Sequence, residues 1–179
     1  MNEIALLIAA TLASGTPLAV AGLGLLLNEK AGVLNLGAEG MMLVAAIAGF
    51  ATALATGSDV LAFAAGAGAG ALMAAVFALL VIGLNTNQYA TGLALSLFGG
   101  GFSAFVGVSF VGKKLEDRVP FEVPGLADIP FIGPAFFKQH WMVYVAIALV
   151  LAMSWFLYRS RAGLVLRAVG ESPESAHAL

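Results

Sequence analysis

The chain has 179 residues, of which 61% are hydrophobic and only 10% charged, and its formal net charge is −2. Soluble domains carry about 25% charged residues, so the composition excludes a large water-facing core domain, and it supplies no basic face for nucleic acid. The chain contains no cysteine, which excludes a disulfide framework, a thiolate metal site and a cysteine nucleophile.

Taken in order, the apolar stretches are long enough to cross a bilayer, because about 20 helical residues rise through the ~30 Å hydrocarbon layer. The opening Met1-Asn2-Glu3 lacks a cationic leader region, so the first apolar segment is expected to be retained rather than cleaved. Residues 4–28 carry no charge and predict a first helix over 4–27, with Pro17 as a kink point that a membrane helix tolerates. A polar break, Asn28-Glu29-Lys30, follows. Residues 31–58 hold one charge, Glu39, and predict a second helix over 34–55, closed by a turn at Thr56-Gly57-Ser58-Asp59. Residues 60–112 are uncharged and long enough for two crossings, predicted at 60–83 and 88–111 and divided by Leu84-Asn85-Thr86-Asn87-Gln88.

The next segment differs in kind. It carries Pro120, Pro124, Pro130 and Pro134, the cations Lys113, Lys114, Arg118 and Lys138, and the acids Glu116, Asp117, Glu122 and Asp128. Residues 112–139 therefore read as a solvent loop, with Phe131, Phe136, Phe137 and Trp141 placing part of it at the membrane interface, where aromatic rings prefer to sit. A fifth helix is predicted at 140–158, and residues 159–179 are polar or amphipathic. The expected fold is all-α: one membrane-spanning domain over 1–179, a polytopic bundle of about five helices with the second one broken. Five crossings put the termini on opposite sides. Arg159, Arg161 and Arg167 have no neighbouring acid before Glu171, whereas the loop cations are interleaved with acids, so the positive-inside rule puts 159–179 in the cytoplasm and the N-terminus outside.

Four polar residues within or beside the apolar spans are candidates for a solute path. Glu39 is the one ionisable residue well inside an apolar segment, and a carboxylate at membrane depth costs at least ~2.5 kcal/mol, which favours a bundle interior or a wet cavity. Asn35 precedes it by four residues, on the same face if the helix is regular. Gly32, Gly37 and Gly40 weaken regular helix there, and a locally broken helix is one way to build a midplane binding site. The alternative for Glu39 is a position near the cytoplasmic helix end, solvated or paired with Lys30. Asn87 and Gln88 either cap the fourth helix or point into the path. The small residues Gly66 and Gly70, and Gly92, Ser96 and Gly100, have the spacing of close helix–helix contacts.

Several motif matches carry no chemistry. Gly66 to Ala71 fits a loose dinucleotide fingerprint without a preceding strand or acidic partner. Gly107 to Lys114 matches most of a phosphate-binding loop, but Lys114 stands where Ser or Thr should hold magnesium, and the context is a membrane helix end. His140 and His177 have no second ligand at metal spacing, and no catalytic triad or carboxylate pair is present in the sequence pattern. No catalytic residue, metal or cofactor is expected.

The tail has its own logic. Arg159 and Arg161 end the fifth helix, Gly163 and Gly170 are expected to bracket a short apolar and basic piece, and Ser172 with Pro173 and Glu174 reads as a capped helix start. The sequence ends within that helix, as an N-terminal portion of a longer protein would.

Three segments together resemble a family. Residues 29–42, with Gly32, Asn35, Gly37, Glu39 and Gly40, are similar to the signature of bacterial ABC-importer permeases of the nucleoside, simple-sugar and branched-chain amino acid type. Residues 87–95, with Asn87, Gln88 and Gly92, resemble their next polar helix start. Residues 163–173, with Gly163, Arg167, Gly170, Glu171 and Pro173, resemble the cytoplasmic loop that engages the ATPase. The Asn-Leu-Gly-Ala-Glu-Gly form most resembles the nucleoside and simple-sugar branch. The resemblance implies an inner-membrane subunit that forms half of a channel and has no enzymatic activity of its own. It implies a second permease subunit, a cytoplasmic ABC ATPase, an extracytoplasmic solute-binding lipoprotein and membrane lipids as partners, and no nucleic acid. It makes 159–179 the coupling segment and 112–139 an extracytoplasmic loop. An ion-coupled transporter using Glu39, or a membrane scaffold, are the competing readings.

Overall fold

A computed structural model describes residues 2–115, 121–122, 125, 129 and 132–176. Among the described residues the structure is helical, with one two-residue antiparallel ladder, β1 (Phe121–Glu122) against β2 (Lys138–Gln139). Five helices are long and apolar enough to cross a membrane: α1 (Asn2–Lys30), α2 (Ala38–Thr56), α3 (Asp59–Ala78, prolonged by a π-turn at Leu79–Gly83), α4 (Gln88–Gly107, ending in a 3-10 turn at Val108–Phe110) and α5 (Trp141–Arg159). Two shorter helices follow, α6 (Arg161–Glu171) and α7 (Pro173–Ala176). The fold is an all-α, multi-pass membrane protein, as the apolar pattern requires.

Helix ends follow local chemistry. The expected break at Asn28-Glu29-Lys30 is not a break: Glu and Lys are good helix formers, and α1 runs unbroken through Pro17 and on to Lys30. It stops at Gly32, whose φ of 78° is the left-handed conformation that closes a helix at little cost only for glycine. Gly57 does the same after α2, at φ 67°. Side chains start the next helices. Ser58 Oγ accepts from Leu61 N–H at 3.4 Å, Asn87 Oδ1 from Ala90 N–H at 3.1 Å, and Ser160 Oγ from Gly163 N–H at 2.9 Å.

The chain divides into two compact units, Met1–Gly32 with Asp117–Leu179, and Val33–Glu116. The second unit packs α2 against α3 and α4 around Val44, Met73, Phe77, Val81 and Leu95. Glycines set the spacing. A Cβ on Gly40 would lie 2.6 Å from Ser96 Cα, and one on Gly99 would collide with the Gly40 backbone. Gly49 and Gly66 bring α2 and α3 together in the same way, each Cβ position lying 3.0–3.1 Å from a carbonyl oxygen of the other helix. The stripe used on α4 is Gly92, Ser96 and Gly99; Gly100, expected from the four-residue spacing, meets only a Leu43 methyl at 3.9 Å.

In the first unit, α1 packs against α5, α6 and the π-turn Gly133–Phe137. This corrects the reading of 112–139 as a plain solvent loop. Ala135 and Gln139 are buried, Gln139 Nε2 donates to Ala135 O at 2.8 Å, and Tyr144 Oη donates to Phe136 O at 3.0 Å. A run with four prolines and many charges hides such a packed turn because its apolar residues are irregularly spaced. Glu116, Asp117, Arg118, Pro120, Pro124, Asp128, Pro130, Phe131 and His177 lie outside the described residues.

Candidate functional site

The four path candidates all belong to the second unit; Asn35 lies in residues 33–37, an irregular stretch ahead of α2, Gln88 bonds to it, Glu39 follows it in α2 and Asn87 does not reach it. The helix begins at Ala38, not at 34, so Asn35 and Glu39 do not share a helical face. The reason is local. Asn35 Oδ1 accepts the Gly37 N–H at 2.8 Å, a side-chain turn that competes with helix for the backbone donor. Asn35 Nδ2 lies 3.7 Å from Met41 Sδ, a weak second contact.

Two side chains of α4 hold this stretch from the other side. Gln88 Oε1 accepts the Leu34 N–H at 2.8 Å, and Ser96 Oγ donates to Leu36 O at 3.0 Å. Each satisfies a backbone group that the broken helix leaves without an intrahelical partner. Gly92 admits this stretch: a Cβ there would lie 2.8 Å from Leu36 N and 3.0 Å from Gly37 N. Asn87 caps α4 and Gln88 reaches back to residue 34, so the two adjacent amides do different work. Asn85 precedes them at φ 50°, and Thr86 bridges the turn, donating to Leu80 O at 2.9 Å and lying 2.9 Å from the Thr91 hydroxyl.

Glu39 sits in the first turn of α2, exposed within its unit, where the helix dipole favours a carboxylate. Gly37 has no side chain to cap that helix end. The site is thus a short non-helical stretch at the head of a membrane helix, pinned by amide and hydroxyl groups and carrying one exposed carboxylate.

The second candidate region lies in the first unit. Gly163 and Gly170 do not bracket a separate piece; both fall inside the continuous helix α6. Gly163 presses on the last turns of α5, where a Cβ would lie 2.8 Å from Leu157 Cα, and Gly170 presses on the end of α1, where one would lie 2.9 Å from Gly32 N. Arg167 turns inward: its guanidinium lies over the Tyr158 ring at 5.1 Å, and among the described residues its Nε is buried with no hydrogen-bond partner. Glu171 is exposed at the end of α6. Pro173 opens α7 as expected, with Ala176 N–H donating to Ser172 O at 3.0 Å. Leu164, Val165 and Val169 are exposed, and Val165 and Val169 line a groove of about 490 Å³ together with Ala31, Arg161, Ala162 and Leu166.

Residues 7–179 match the family described as branched-chain amino acid transport system / permease component. The chain belongs to this permease family. It is 43% identical over 180 residues to an ABC transporter permease protein of Haloferax volcanii whose name assigns it provisionally to glucose, an alignment covering 98% of this chain and 55% of that protein. It is 32% identical over 186 residues to the guanosine ABC transporter permease protein of Bacillus subtilis, covering 97% and 58% respectively. It is also 28% identical over 190 residues to the nucleoside ABC transporter permease protein of Lactococcus lactis, covering 100% and 60%. The chain thus spans between 55% and 60% of the length of these relatives. No solved structure matches it.

Sequence reasoning missed the long-range partners in this permease chain. Ser96 was visible only as a small residue in a stripe, and nothing local marks the Gln88 side chain as the acceptor for Leu34 N–H, 54 residues away. Tyr158, which meets the coupling candidate Arg167, carries no signal beyond its type, and Gly32 is marked in the sequence as a helix-weakening residue and not as the seat of Gly170.

Proposed function

We propose that this permease-family chain forms part of the membrane path of an ATP-driven importer for a small polar solute of the nucleoside or simple-sugar class. The observation that carries the reading is the pinned stretch 33–37, irregular backbone at the head of a membrane helix with Glu39 exposed beside it. Irregular backbone in a membrane protein is kept where it is buried or lines a wet cavity. The printed names of the relatives, glucose, guanosine and nucleoside permeases, support the solute class. On this reading Asn35, Asn87 and Gln88 shape the path and Glu39 lines it.

Hydrolysis of ATP belongs to a separate ATPase subunit, which meets the permease at the α6–α7 end through the exposed Leu164, Val165, Glu171 and Glu174. A second permease completes the channel and an extracytoplasmic binding protein delivers the solute. Lys30 and Arg159, each in the last turn of a membrane helix, mark the cytoplasmic side, with Arg161 and Arg167 beside them; the N-terminus is then outside.

The test is uptake into proteoliposomes by the full-length permease with its second permease, ATPase and binding protein. Labelled guanosine, glucose and leucine are compared. ATP-dependent uptake of the nucleoside or the sugar is expected. Uptake of leucine alone would move the protein to an amino acid specificity, and uptake driven by a proton or sodium gradient without ATP would overturn the reading. An impermeant maleimide should fail to label Arg161→Cys in intact cells; labelling there would reverse the orientation.

A further inference from the structure

The α6 helix meets its neighbours at both ends by close backbone contact, and Ser160 Oγ caps its start. At its start, Gly163 lies against Phe156 O and Leu157 Cα of α5. Seven residues later, two helical turns on and on the same face, Gly170 lies against Lys30 O, Ala31 C and Gly32 N at the end of α1. The contact is reciprocal: a Cβ on Gly32 would lie 3.1 Å from Gly170 O. Between them, Arg167 covers the Tyr158 ring of α5. The helix is 11 residues, about 16 Å at 1.5 Å per residue, so it bridges the C-terminal ends of two membrane helices.

We infer that α6 is a rigid strut that makes the ends of α1 and α5 move as one body, with Gly163 and Gly170 as its positioning residues. The inference rests on the coupling role proposed above for the α6–α7 end, and it separates two tasks within that segment. The outward side, with Leu164, Val165 and Glu171, and the short α7 meet the motor. The inward side, with Gly163, Arg167 and Gly170, passes the displacement on to α1 and α5. Backbone seated on backbone suits this task, because there is no side-chain rotamer between the parts to absorb a small shift. A methyl group at either glycine wedges the strut away from its seat while leaving the outward side unchanged.

The experiment uses the assembled importer, full-length permease with its ATPase and binding protein, in proteoliposomes. Gly163→Ala and Gly170→Ala are compared with Gly68→Ala, a helical glycine with nothing within 4 Å of its Cβ position. The strut variants should keep the ATPase on co-purification and keep hydrolysing ATP, while uptake per ATP falls about fivefold or more, the scale of a lost coupling of 1 kcal/mol upward; Gly68→Ala should match the parent. Unchanged uptake per ATP in both strut variants would overturn the inference. So would loss of the ATPase from the complex, which would make these glycines part of the motor contact.

A cross-link between Ala31→Cys and Val169→Cys, which line one groove, in a full-length permease with every other cysteine replaced, tests the same point without burdening the fold. Uptake should survive the cross-link, because the two ends already move together, and a cross-link that stops uptake would sink the strut. Failure of the coupling role itself would read differently: photo-cross-linkers at Leu164 and Glu174 would not reach the ATPase.

Discussion

The two motif-bearing segments use glycine and polar residues in opposite ways. Around residues 33–37, polar side chains do the holding: Asn35, Gln88 and Ser96 each satisfy a backbone group, and Gly92 and Gly99 only clear the space for them. Around α6, the glycines do the holding and the charged side chains are largely turned out or stacked on an aromatic ring. Both segments carry the same kinds of residue at motif positions, yet one makes an irregular stretch and the other a regular strut. Residue type at a motif position therefore does not fix the local structure that it makes.

The sharpest way to break the comparison is overpacking. Gly99→Val drives a branched side chain into the Gly40 backbone and should cost about 3 kcal/mol, the upper range for overpacked sites. A drop in the detergent melting temperature and loss of the monodisperse peak would report it; a parent-like melt would mean that α2 and α4 are not in close contact. Next comes Gln88→Ala, which removes the partner of the exposed Leu34 N–H and should cost about 0.5–1.5 kcal/mol. The same variant should raise maleimide labelling of Leu36→Cys, since the stretch is released from α4; unchanged labelling would deny the tether.

Ser96→Ala removes one neutral hydrogen bond, to Leu36 O, and should cost about 0.6–1 kcal/mol, the ordinary value for such bonds in membrane proteins. Glu39→Gln sharpens the comparison from the functional side. The carboxylate is exposed and contributes little packing, so the melting temperature should stay within the error while solute uptake falls. Equal loss of both would make Glu39 structural. The smallest effect is expected from Gly68→Ala, an open helical glycine, which should leave stability unchanged or raise it by about 0.5–1 kcal/mol.

Hydropathy and helix punctuation made the five long helices legible. The turn at Thr56-Gly57-Ser58-Asp59, the Asn87 cap and the start of α7 at Pro173 were each readable from one residue's local preference. The misreadings share one cause. Asn28-Glu29-Lys30 looked like a break because polarity was taken for irregularity, although the backbone cares only about propensity and the position of Gly32. The second helix is expected to be broken near Gly32, Gly37 and Gly40, and only the place of the break, at 33–37 ahead of Ala38, depends on the Asn35 side chain capturing a backbone donor. Gly163 and Gly170 looked like boundaries because glycine weakens helices, although each is placed for close approach by a neighbour that the linear sequence does not reveal. The candidate site was legible as a set of residues and not as a network, since its decisive bonds join positions 54 and 60 residues apart.

That separation has a consequence for biogenesis. The ribosome delivers Gln88 and Ser96 long after the stretch they secure; at about 5–20 residues per second the delay is roughly 3–12 s. Throughout that interval Leu34 N–H and Leu36 C=O lack their permanent partners, so the nascent segment must linger beside water or the insertion machinery. The 33–37 stretch therefore takes its final form only once α4 has been made.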